Sequence, residues 1–122
     1  DNSIDLALDI TASHVLNEFE RVNYITELIR KMKSGGYLFL RTLCIEGDQN
    51  AKNLIKQFPG KSKQSYMLPK TGIEETVFTW QNIVDLYEKD FTILFYEKTT
   101  GYQKWISQSY KRNYWIVYLQ KK

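Results

Sequence analysis

Between Ile4 and Leu43 the sequence switches from one hydrophobic period to another and back, and that switch restricts the fold class more than any other feature of the chain. Ile4-Asp5-Leu6-Ala7-Leu8-Asp9-Ile10 is short, mostly apolar and β-permissive, which suits a strand covered on both faces as in a parallel sheet. Asn17 followed by Glu20 then reads as a capping box, and Val22, Ile25, Leu28, Ile29 and Met32 recur at the spacing of one buried helical face. Arg30, Lys31 and Lys33 suit the carbonyl end of that helix. Gly35-Gly36 supplies a stop, because glycine accepts the left-handed conformation without a Cβ clash. Residues 37–43 form the next strand, and strand, helix, glycine stop, strand is a right-handed βαβ unit with parallel strands.

Beyond that unit, Asp48 is placed to cap a second helix carrying Ala51, Leu54, Ile55 and Phe58 on one face, ended by Pro59-Gly60. Residues 61–72 are polar, contain Pro69 and Gly72, and read as a loop. Thr79 caps a third helix with Trp80, Ile83, Val84 and Tyr87 on its inner face, and residues 91–97 and 114–120 read as strands. Only residues 99–113 join those two, so they pair antiparallel, with Trp105 and Tyr110 packed in the connection. At 122 residues, 43% of them hydrophobic, the chain holds a single modest core without needing disulfide or metal staples. The formal charge of +3 permits phosphate or nucleic-acid contact without naming a partner. Cys44 is the only cysteine and His14 the only histidine, so no intrachain disulfide and no Cys/His zinc cage can form, and a cytoplasmic setting is expected. The apolar stretches have strand length, far short of the ~20 residues a membrane span needs. The chain opens at Asp1 directly into a strand, which reads as the middle of a gene.

The run Ile4-Asp5-Leu6-Ala7-Leu8-Asp9-Ile10-Thr11-Ala12-Ser13-His14-Val15-Leu16 resembles the fourth strand and following loop of the class I S-adenosylmethionine-dependent methyltransferases. Leu28-Ile29-Arg30-Lys31-Met32-Lys33-Ser34-Gly35-Gly36-Tyr37-Leu38-Phe39-Leu40 is similar to that family's fourth helix, Leu-Lys-Pro-Gly-Gly turn and fifth strand, with Ser34 in place of the proline. Glu75-Thr76-Val77-Phe78-Thr79-Trp80 looks like the approach to its last helix, and Phe91-Thr92-Ile93-Leu94 like its sixth strand. Tyr114-Trp115-Ile116-Val117-Tyr118-Leu119 looks like its terminal strand. The resemblance implies an α/β, Rossmann-like fold: a mostly parallel sheet with helices on both faces and an antiparallel C-terminal strand. It makes residues 1–122 the C-terminal part of a single methyltransferase domain whose N-terminal, cofactor-binding part would lie upstream. It further implies S-adenosylmethionine as cofactor and methyl transfer to an unidentified acceptor by a longer chain, this fragment being inactive alone. Another nucleotide-binding α/β enzyme, or a non-catalytic RNA- or protein-binding module, is the alternative.

Ligands of open α/β sheets bind outside the carboxyl ends of the parallel strands, which selects residues 9–14, 42–46 and 97–100. The resemblance sets the first of these beside the cofactor, so Asp9, Ile10 and Thr11 are candidate cofactor contacts. His14 is the candidate catalytic residue, able to take the acceptor's proton near neutral pH, with a hydrogen-bonded lid as its alternative role. Asp9 has an alternative as a turn former or helix cap. Arg41, Thr42 and Glu46 are candidate substrate contacts, whereas Cys44 reads as a small buried hydrophobe. The segment with Lys61, Lys63, Tyr66 and Lys70 lies where the family commonly carries acceptor-recognising insertions, or is simply a solvated loop. Lys111-Arg112 among Tyr110, Tyr114 and Trp115 would suit base stacking, although those aromatics fit a buried strand better. The expected partner is a small-molecule acceptor, with RNA as a second possibility; neither a metal nor a membrane is called for. Without an upstream neighbour, the strand Ile4–Ile10 would present a bare edge, and the isolated chain is expected to self-associate.

Overall fold

The computed structural model describes residues 2–105 and 108–122. β1 (Ile4–Ile10) leads through a single 3-10 turn, Ser13–Val15, into α1 (Glu18–Lys31). β2 (Met32–Leu43), α2 (Gln49–Gln57), β3 (Ser65–Met67), β4 (Glu74–Thr76), α3 (Trp80–Tyr87), β5 (Phe91–Trp105) and β6 (Gln108–Lys121) follow. The four long strands form one sheet ordered β1-β2-β6-β5. β1 and β2 are parallel, from Leu6 opposite Tyr37 to Ile10 opposite Arg41. β6 runs antiparallel to both β2 and β5, so the last strand is inserted, reversed, between two strands that point the same way. This is the α/β architecture with an antiparallel C-terminal strand that the sequence predicts.

The caps explain where the helices begin. Asn17 Oδ1 accepts from the Glu20 N–H at 2.8 Å while Glu20 Oε1 accepts from the Asn17 N–H at 3.0 Å, the predicted capping box. Asp48 Oδ1 accepts from the Ala51 N–H at 2.8 Å to start α2, and Thr79 with Asn82 forms a second reciprocal box at α3. α1 ends earlier than predicted: Met32, already extended at φ −81° and ψ 140°, is its C-cap, and the glycines lie beyond the helix. Gly35 does take the expected left-handed conformation, at φ +85°, while Gly36 serves the strand pairing. A Cβ on Gly36 would stand 2.9 Å from the Lys33 carbonyl oxygen and 3.1 Å from that of Ile4, so only a bare Cα lets β1 approach there.

Alternate side chains of a strand face opposite sides of its sheet. On one side Leu38 and Leu40 of β2, with Trp115, Val117 and Leu119 of β6, pack beneath α1 and α3 together with Ile25, Met32, Cys44, Ile83, Tyr87 and Phe91. On the other side α2 and the β3–β4 pair close over one end only, where Ala51, Tyr66 and Val77 meet Leu43 and Tyr114. Helices therefore lie on both faces, but the second face is covered at its end alone.

Four further expectations are corrected. β1 is an edge strand whose Leu6, Leu8 and Ile10 are 59%, 62% and 51% exposed, so within these residues it is not covered on both faces. Residues 61–72 are not a plain loop: β3 pairs antiparallel with β4, Tyr66 opposite Glu75, and Tyr66 is fully buried. Residues 99–105 and 108–113 are not a plain connection but extend the antiparallel pairing of β5 with β6, from Thr99–Tyr114 out to Trp105–Gln108. The expected packing of the Trp105 side chain lies outside the described residues, while Tyr110 is half-buried. Val22, predicted for the inner face of α1, is 54% exposed. Among the described residues no helix is long and apolar enough to cross a membrane.

Candidate functional site

The carboxyl ends of β1 and β2 lie side by side, as the ligand rule for open α/β sheets requires. The chain leaves β1 through Thr11, a β-branched residue held at φ +55°. That conformation costs of order 1–3 kcal/mol and persists only where the surroundings impose it. Here the Thr11 N–H donates to the Arg41 carbonyl at 2.6 Å, and the Thr11 hydroxyl donates to the Ile10 carbonyl at 2.7 Å.

Asp9 faces the helix-covered side of β1, opposite Leu40, and is buried. Its Oδ1 accepts from the N–H groups of Ala12 and Ser13, both at 3.2 Å, and so caps the 3-10 turn that carries His14. Its Oδ2 makes no hydrogen bond of normal geometry. Tyr24 lies within its influence, and its phenol is pushed well above its usual range by burial and then by the Asp9 charge. Thr42, one step beyond Leu40 on the same face, is also buried, and its Oγ1 is unpartnered. Arg41 points the other way and stacks its guanidinium 3.9 Å from the Tyr114 ring centroid. Arg41 and Thr42, adjacent candidates in sequence, are therefore on opposite sides of the sheet. Ile10 pairs with Arg41 on the exposed side. Glu46 is exposed and accepts from the Trp80 N–H at 2.9 Å at the start of α3, which gives it a capping role. Cys44 is buried and packed as expected; burial pushes its thiol up to about 11, so it holds little thiolate.

His14 is buried and brought against a residue that the sequence does not single out. Its Nε2 stands 3.3 Å from Glu75 Oε2 on β4, and both side chains are 7% exposed. Glu75 Oε1 accepts from the Tyr66 hydroxyl at 2.7 Å, and that hydroxyl accepts from Arg112 Nη2 at 2.8 Å. Arg112 Nε in turn donates to Asp48 Oδ2 at 3.1 Å, beside the Asn113 N–H at 2.8 Å. A buried polar chain thus runs from the turn after β1, through the β3–β4 pair, to β6 and the start of α2. Burial pushes the Glu75 carboxyl up, but hydrogen bonds from His14 and Tyr66, with the charges of His14 and Arg112, outweigh it and leave it below its ordinary value. An ionised carboxylate only accepts, so His14 Nε2 carries the proton toward Glu75. In the neutral ring the lone pair is then on Nδ1, which is buried and without a partner. No local signal joins His14 to Glu75, 61 residues away; only the pairing of β3 with β4 does.

Arg112 is 1% exposed and spent on internal partners, so the predicted basic-aromatic segment offers nucleic acid no free guanidinium. Of the lysine-rich segment, Tyr66 is the residue drawn inward, while Lys61, Lys63 and Lys70 stay exposed.

Solved structures with the same fold include S-adenosylmethionine-dependent methyltransferases. One from Methanosarcina mazei superposes with a TM-score of 0.80 over 99% of this chain at 23% identity. Another, from Anabaena variabilis, gives 0.67 over 94% at 16% identity. The Burkholderia thailandensis 1,6-didemethyltoxoflavin-N1-methyltransferase, seen with 1,6-didemethyltoxoflavin and S-adenosylhomocysteine bound, gives 0.62 over 97% at 12% identity. The chain spans 60%, 48% and 44% of their respective lengths. No protein-family model matches the sequence, and no curated protein is significantly similar to it. The chain has a class I methyltransferase-like fold, in part.

Proposed function

We propose that these residues are the acceptor-side part of an S-adenosylmethionine-dependent methyltransferase, acting within a longer chain. The observation that carries the reading is the sheet order β1-β2-β6-β5 with β6 alone reversed, joined to unpartnered polar atoms at the carboxyl ends of β1 and β2. Those atoms, His14 Nδ1 and Thr42 Oγ1, are what a site made to be completed by a ligand leaves behind, since buried polar groups otherwise find partners. The residues fit one side of such a cofactor: the strained turn at Thr11, the backbone of Ile10 to Ala12, and Thr42 would hold it. When bound, S-adenosylmethionine supplies a methyl group on a sulfonium, already a strong electrophile. The chain's own work is to orient the acceptor and to take its proton at His14 Nδ1, with Glu75 holding Nε2.

A small-molecule acceptor is favoured over RNA because Arg112 is buried and paired and the net charge is only +3. The cytoplasmic setting rests on the single free Cys44. Calorimetric titration of the full-length protein tests the reading. S-adenosylmethionine and S-adenosylhomocysteine should both bind, and His14→Ala should lower turnover per folded molecule by roughly 10²–10⁴. Binding of NAD with no response to S-adenosylmethionine overturns it.

A further inference from the structure

We propose that the cleft between α2 and the outer β5–β6 hairpin is a binding site for a flat, uncharged heterocycle bearing a ring carbonyl. The proposal stands on geometry separate from the β1–β2 site and does not depend on the methyl-transfer reading.

The cleft encloses about 280 Å³. That is just under the ~300–1,000 Å³ typical of small-molecule sites, so it suits one or two fused rings rather than a dinucleotide. Its walls alternate two kinds of surface. Leu54, Phe58, Leu68 and Tyr110 make much of it apolar, two of them aromatic side chains of the kind on which planar rings pack. Carboxamides from Asn50, Asn53 and Gln57 supply its polar atoms. Asn50 spends its Nδ2 on the Lys111 carbonyl at 2.8 Å, leaving its oxygen as an acceptor. Asn53 accepts from Gln49 Nε2 at 3.1 Å, leaving its NH₂ as a donor. Gln57 has no hydrogen-bond partner among the described residues and offers both. Paired donors and acceptors of this kind match the amide-like edge of a heterocycle and match no aliphatic surface.

Arg112 sets the charge preference. It lines the cleft yet is 1% exposed, held by Asp48 through Nε, by Gln103 Oε1 through Nη1 at 2.8 Å and by the Tyr66 hydroxyl through Nη2. All three of its nitrogens are engaged by these internal partners. Because Asp48 already neutralises the guanidinium, a phosphate or carboxylate would have to be desolvated without a free countercharge, whereas a neutral carbonyl needs only the carboxamide donors of Asn53 and Gln57. The site therefore selects against anions despite its arginine.

Ligand-observed saturation-transfer NMR of the 122-residue chain tests this, since its signal survives self-association of the protein. The probe is lumazine, a fused flat ring system with two carbonyls. Inorganic phosphate and cyclohexanecarboxamide are the competitors. Lumazine should bind saturably through its ring protons, and neither competitor should displace it. Leu54→Trp, which fills the cleft, should abolish the signal. Gln57→Ala, on the exposed rim, should weaken binding roughly three- to tenfold, the effect of one hydrogen bond. Circular dichroism checks that both variants fold, and Gln57→Ala carries the test if Leu54→Trp does not. Absence of saturable binding, displacement by phosphate, displacement by the non-planar amide, or equal binding to Gln57→Ala and wild type would each overturn the proposal.

Discussion

The two faces of the sheet are written in nearly the same alphabet and end in opposite states. On the covered face Leu38, Leu40, Val117 and Leu119 are at most 1% exposed beneath α1 and α3. On the other, Leu6, Leu8, Tyr37, Leu94 and Tyr118 are 43% to 62% exposed, and all of them but Leu8 line an apolar hollow on the sheet. Apolar alternation says that a position belongs under something; it does not say what covers it. A contiguous apolar surface of this kind on a folded domain marks a contact surface. The unpaired outer edge of β1 adjoins it.

The contrast is broken most directly by truncating one leucine from each face. Leu40→Ala should cost about 2–5 kcal/mol, through lost burial and a residual cavity. Leu8→Ala, at 62% exposure, should stay within about 0.5 kcal/mol, as surface substitutions do. Urea unfolding of both variants makes the comparison. Equal losses would mean that the second face is covered in solution.

Covering of that kind is the next point to press. β1 carries no proline or lysine to blunt its edge, and its exposed side chains continue into Tyr37 and Tyr118, so the chain should self-associate in a concentration-dependent way. Leu8→Lys places a charge among these exposed side chains and should shift light scattering toward monomer with the urea midpoint nearly unchanged. A wild-type chain that scatters as a monomer at all concentrations would show that Leu6 and Leu8 are tolerated in water.

The same division governs what could be read from the sequence. Helix starts were legible because a cap is a local event: Asn17 with Glu20, Asp48 and Thr79 each act within three residues. The parallel pairing of β1 and β2 and the reversed final strand were legible because connection lengths force them. Residues 61–72 were not, because nothing local distinguishes a solvated tyrosine from Tyr66, whose burial depends on Arg112 lying 46 residues away. For the same reason His14 could be picked out as the sole histidine, while Glu75 stood beside Glu74 with no mark on it. Glu74 turned out to be the local one, bonding Ser65, Lys61 and Ser62 around its own turn. Asp9 was legible as a cap and as a ligand contact alike, and the geometry gives its Oδ1 to capping.

The smallest expected effect concerns the one closed end of the second face, where the polar chain through Glu75 holds the β3–β4 pair in place. Desolvation raises the Glu75 carboxyl and its bonds to His14 and Tyr66 lower it further than that, so its folded value is depressed. A depressed carboxylate contributes stability in full above its unfolded value of ~4.3, and loses it as pH falls through the folded value. Wild type should therefore lose stability more steeply than Glu75→Gln as pH falls below about 5. Glu27 and Glu74 are depressed as well, but they titrate identically in both proteins and cancel in the difference. Parallel urea midpoints from neutral pH down into the acid range would show that the bonds to His14 and Tyr66 give no net preference for the charged carboxyl. The cover at that end would then rest on Leu43, Ala51, Val77 and Tyr114 alone.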